Sequence, residues 1–155
     1  MVKSICLDRV FYILIDRFNP LIMKDLVELQ KTSIEKIDPD ILITRYKGEV
    51  DIDEDDAREI DGTHCVLSQG EDMFIIVDMT IGETRIHDSA EKFFIGKGLM
   101  VPYIKGMAIV CKSKSSFLTK FFKRSPKTLY PTKEFVTFED AYTWIDHIRN
   151  KRILN

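Results

Sequence analysis

MFIIVDMTIGETRIHDSAE, residues 73–91, decides the fold. Phe74, Ile75, Ile76 and Val77 are apolar without alternation, and Glu71-Asp72 and Asp78 bound them. A short continuous run of this kind reads as a strand covered on both faces. Such a strand needs helices on either side, so the chain belongs to the α/β class. Function gathers in loops at the carboxyl ends of such strands. Here that loop carries Asp78, Thr80, Glu83, Arg85, His87, Asp88 and Ser89. Ala90, Phe93, Phe94 and Leu99 predict a helix beginning near Ser89, with Asp88 or Ser89 at its cap.

The order VDMT then IHDSAEKFF resembles the STAS domain, the fold of bacterial anti-sigma-factor antagonists. The resemblance covers about residues 34–149 and includes the tail FVTFEDAYTWIDHI, which is similar to the last strand and helix of uncharacterised STAS-like proteins. It implies a STAS-like sandwich and a non-enzymatic regulatory module that binds a protein partner. It also implies Ser89 as phosphoacceptor, with Asp78, Thr80, Arg85, His87 and Asp88 forming the contact loop. The antagonists continue the serine motif with a small residue and then glycine; here Ala90 is followed by Glu91. A carboxylate at that point repels an added phosphate.

A chain of 155 residues matches one domain, and 45% hydrophobic content is ordinary for a globular protein. The net charge of −2 decides nothing about nucleic acid, and no nucleic-acid partner is expected. Cys6, Cys65 and Cys111 form no CxxC and no even set, so reduced thiols in the cytoplasm are the expectation. No run is apolar and long enough to span a bilayer.

Residues 1–33 are read as an N-terminal extension and 34–150 as the domain. In the extension Leu7, Val10, Phe11, Leu14, Ile15 and Phe18 recur at helical spacing, and Asn19-Pro20 ends the pattern. Two readings stay open: an upstream extension ahead of Met23, or a helix that docks on a partner or on a second copy.

Residues 33–37 and 41–46 predict a hairpin turning at Asp38-Pro39-Asp40. The run EVDIDEDDAREID carries eight carboxylates. It reads either as a cation site or as a helix N-terminus capped by Asp51 or Asp53. The central glycine of an EF-hand loop is missing, which favours the cap, and no metal is expected. Ala57, Ile60, His64 and Leu67 then share the buried face, and Gly70 closes the helix. Residues 90–103 form a second helical region broken at Gly96-Lys97-Gly98. MAIVC, residues 107–111, is a second buried strand, and 134–136 a short edge strand. Between them residues 115–125 predict a helix with Phe117, Leu118, Phe121 and Phe122 on one side. Lys112, Lys114, Lys120, Lys123 and Arg124 surround it. That patch is either the solvated side of a core helix or a surface for a lipid or small anionic ligand. Thr137 caps the last helix, whose apolar side is Phe138, Ala141, Tyr142, Trp144, Ile145 and Ile148.

The expected architecture is a small mixed sheet of about five strands, an initial hairpin followed by βα units, with helices packed on it. No catalytic set emerges. His64, His87 and His147 lie on separate elements, and neither HExxH nor GxSxG occurs. No cofactor is expected, and self-association remains open.

Overall fold

The computed structural model describes residues 25–112 and 129–153. The extension helix and the helix expected over 115–125 lie outside these residues.

The chain opens as a meander of three antiparallel strands: β1 (Leu26–Glu28), β2 (Thr32–Asp38) and β3 (Ile41–Tyr46). The β2–β3 turn is the expected Asp38-Pro39-Asp40. The short strand β4 (Val50–Ile52) follows, then helix α1 (Glu54–Ser68), strand β5 (Met73–Asp78) and strand β6 (Thr84–Ile86). Helix α2 (Asp88–Lys92) widens into a π-turn, Phe93–Lys97, and a 3-10 turn, Val101–Tyr103, leads into β7 (Ile104–Val110). Strand β8 (Thr132–Phe135) and helix α3 (Phe138–Ile153) complete the domain.

Six strands form one sheet in the order β1-β2-β3-β5-β7-β8, with β3, β5, β7 and β8 mutually parallel. β4 and β6 pair parallel in a second, two-stranded sheet. The main sheet takes in 26–28 and 32–33, residues ahead of the boundary expected at position 34.

β5 lies inside the sheet and explains its own composition. Met73 and Ile75 enter the core under α1 and the 93–103 segment, while Phe74 and Ile76 enter the core under α3. Both faces are dry, so both sets are apolar. On the α3 side, Ala108 and Ala141 are fully buried and Gly106 has no side chain. A Cβ on Gly106 would meet Ile148 Cδ1 at 2.5 Å. That missing side chain lets α3 lie close to β7.

The acidic run is a helix start. Asp53 Oδ1 accepts the N–H groups of Asp55 (2.9 Å) and Asp56 (3.0 Å), and Asp56 Oδ2 accepts the Asp53 N–H. This is a reciprocal capping box, with further carboxylates on the first turn complementing the helix dipole. Ala57, Ile60, His64 and Leu67 are buried as the spacing predicts. At the other end, Gln69 (φ 54°) takes the left-handed cap expected at Gly70, and Gly70 (φ 73°) follows in the same region.

α3 is tied to the β2–β3 turn. Arg149 donates to Asp40 (2.7 Å), Asp38 (3.3 Å) and Asp146 (2.8 Å), and the Tyr142 hydroxyl donates to Asp38 at 2.7 Å. The Tyr142 hydroxyl, then Arg149, hold the Asp38 carboxyl below its usual range. This cluster lies at the amino end of β3, away from the candidate site.

Candidate functional site at the carboxyl edge of the sheet

Parallel strands end together. Arg45, Asp78, Val110 and Phe135 occupy successive register positions across β3, β5, β7 and β8. Asp78 sits inside this row. Its Oδ1 accepts both the N–H (2.9 Å) and the hydroxyl (2.7 Å) of Thr80, an Asx turn that reverses the chain as it leaves the sheet. The Met79 N–H donates to the Val110 carbonyl at 2.9 Å and ties the turn to β7.

The rest of the expected contact loop is more ordered than a loop. Residues 84–86 are strand β6, paired to β4. Arg85 faces Asp51 at 2.9 Å, both largely exposed, a pairing of little energetic weight. The backbones of loops 47–49 and 81–83 touch: a Cβ on Gly82 would lie 2.6 Å from the Gly48 carbonyl oxygen.

The cap of α2 differs from the expectation. His87 is the N-cap, with extended backbone and no side-chain capping bond. Its N–H is already committed to the Ile52 carbonyl (2.9 Å), and its carbonyl accepts from Glu91. The cap therefore falls one residue before the expected Asp88, and Asp88 and Ser89 become the first two helical residues. His87, Asp88 and Ser89 are all exposed. The structure thus joins Asp78 to Thr80 in one turn and anchors Arg85 and His87 to β4. Lys112 is exposed just beyond β7. Lys114, Lys120, Lys123 and Arg124 lie outside the described residues.

Behind this edge, between the sheet and α1, lies a cavity of about 70 Å³. Its floor is Thr44, Ile75, Val77, Ile104, Met107 and Ile109; Ile60, Asp61 and His64 come from α1, and Phe94, Ile95 and Met100 from the segment after α2. Three of its polar side chains, Thr44, His64 and Asp61, hold hydrogen-bond partners. His64 Nε2 and Thr44 Oγ1 are hydrogen-bonded at 2.7 Å, and burial pushes the imidazole down to about 4, so it is neutral. Asp61 accepts from the Leu99 N–H (2.7 Å) and the Met100 N–H (3.1 Å), and burial raises its carboxyl against the effect of those bonds.

Sequence reasoning missed Asp61 because it counted as one more carboxylate of the acidic run. The signal was present: position 61 is four after Ala57 and three before His64, hence on the buried face. It also missed β1, β4 and β6, each three residues long.

The two thiols among the described residues are poor nucleophiles. Cys65 is buried, and burial, then the charges of Glu134 and Asp78, push Cys111 up to about 11. Among the described residues no group of three or more His, Cys, Asp or Glu side chains could hold a metal ion, and no helix is long and apolar enough to cross a membrane.

Residues 35–149 match the family described as a domain of unknown function, DUF7793. The chain belongs to that family. None of the curated proteins matches it. Among solved structures, the DUF7793 chain is similar to an uncharacterized protein from the DUF3478 family with a SpoIIAA-like fold, from Shewanella loihica PV-4. The identity is 20%, the TM-score 0.50, and the alignment covers 73% of this chain and 90% of that one. An anti-sigma factor antagonist from Mycobacterium paratuberculosis matches at 17% identity and TM-score 0.44, over 80% of this chain and 97% of that one. The first of these likenesses concerns the fold: this DUF7793 domain has the STAS-like, SpoIIAA-like architecture.

Proposed function

We propose that this domain is a non-enzymatic, cytoplasmic regulatory module that binds a protein partner through the carboxyl edge of its sheet. The observation that carries the reading is the placement of Ser89. It is exposed on the first turn of α2, beside exposed Asp88 and His87, at the end of a loop anchored to β4 and β7. An anchored loop loses little further conformational freedom on binding, which favours affinity. Ser89 is the phosphoacceptor in this reading, and a phosphate there would add charge at the centre of the contact surface. The helix start favours a negative group, whereas Asp88 and Glu91 oppose it. Modification therefore acts by repelling the partner.

The test is capture from an extract of the protein's own cells on immobilised full chain. Wild type and Lys151→Glu, at the far end of α3, retain the same protein. Ser89→Glu and a double Asp78→Ala, Arg85→Ala variant lose it. Equal retention by all four proteins would place the contact surface elsewhere.

A further inference from the structure

The cavity behind the carboxyl edge plays no part in that reading. We infer that it is a binding site for a neutral, mainly hydrocarbon small molecule that enters alkyl end first.

Three observations carry this. First, the walls offer hydrocarbon and sulfur. Met79, Met100 and Met107 line it together with aliphatic side chains, and unbranched thioethers adapt to ligands of varied shape. Second, its most polar side chains, Thr44, His64 and Asp61, already hold partners. Thr44 and His64 bond each other, and Asp61 takes two backbone N–H groups, so a strongly polar ligand would gain little from these three for the water it sheds. Third, charge selects against anions. Among the described residues no lysine or arginine lines the space, while Asp61 does.

Size and access set the ligand further. The volume of about 70 Å³ is less than half of the roughly 150 Å³ that accommodates benzene, so it takes a short alkyl group and not a ring. Val77, Ile86, Phe94, Ile95 and Met107 line the cavity yet are half-exposed, and they mark the side on which it opens. Two of them, Phe94 and Ile95, lie on the π-turn, a backbone irregularity common at functional sites. A chain longer than the enclosed volume would continue along this rim.

The test uses the full chain labelled with ¹³C at the methionine methyls, titrated with 1-butanol through 1-octanol. The methyls of Met79, Met100 and Met107 shift saturably, while Met73, fully buried in the same core but away from the cavity, does not. Affinity rises about fourfold per methylene until the enclosed volume is full. Octanoate binds at least about tenfold more weakly than 1-octanol at neutral pH. Ile109→Phe fills the space and abolishes the response. Should that variant not fold, xenon with wild type reports the cavity by shifting the same three methyls. No saturable response to either the alcohols or xenon would overturn the inference. Octanoate binding as tightly as octanol would overturn it equally.

Discussion

Asp61 and Gly98 are matched: a Cβ on Gly98 would stand 2.8 Å from Asp61 Oδ1. The carboxylate reaches the Leu99 and Met100 N–H groups because position 98 carries no side chain. Gly98 itself has an ordinary extended backbone (φ −60°, ψ 137°), so space and not conformation demands glycine here. Asp61→Ala leaves two N–H groups without their acceptor and is expected to cost about 2–3 kcal/mol, relief of a buried charge offsetting part of the loss. Gly98→Ala destabilises the wild type but costs markedly less in the Asp61→Ala background. Urea titrations of the four proteins give the coupling, and strict additivity would contradict the relationship.

His64 makes folding stability depend on pH. Its folded pKa, about 4, lies below the ordinary value of 6.5, so the unfolded chain binds more protons between those two values. Its contribution is therefore complete above pH 6.5 and is lost as the pH falls toward 4. The full loss is about 3 kcal/mol. Asp61 works in the opposite sense, because its folded carboxyl is raised and its contribution grows as the pH falls. His64→Leu is less stable at pH 7, since Thr44 loses its partner, but its stability declines less from pH 7 to 4. Parallel pH profiles for the two proteins would refute a buried neutral imidazole.

Arg149 and Asp40 join the last helix to the β2–β3 turn across 109 positions of sequence. Both are partly exposed, so a double-mutant cycle with Arg149→Ala and Asp40→Ala is expected to give about 0.5–1 kcal/mol of coupling. The coupling falls as salt is raised. Zero coupling at low salt would make the pair ornamental.

Gly82→Ala forces the 81–83 loop off the Gly48 backbone, because main chain cannot rotate away as a side chain can. The expected cost is about 1–3 kcal/mol. Hydrogen exchange should quicken most at the Val50 and His87 N–H groups, which bond Glu83 and Ile52 across this small sheet. Unchanged exchange at both would show that the contact loop is held by other means.

The fold was legible where residues carry strong local chemistry. Continuous apolar residues placed β5 inside the sheet, Asp53 marked a helix start, and Asp38-Pro39-Asp40 marked a turn. The three-residue strands were not legible. β4 and β6 exist because two glycine-bearing loops touch, a contact between residues 34 positions apart that no local pattern records. The cap of α2 moved for a related reason: a backbone bond from His87 to distant Ile52 outweighed the capping preference of Asp88 and Ser89. The candidate serine was visible from its order after β5 and the following loop. The cavity was not, since its walls come from seven separate elements and from the segments between them, and its one buried carboxylate was hidden among acidic neighbours.

Phosphate transfer to one hydroxyl tests the functional account most directly. Full chain is incubated with extract of its own cells and ATP, and the intact mass is measured for wild type and Ser89→Ala. The account predicts one added phosphate on wild type and none on the variant. No gain on wild type, or an equal gain on both, would contradict it.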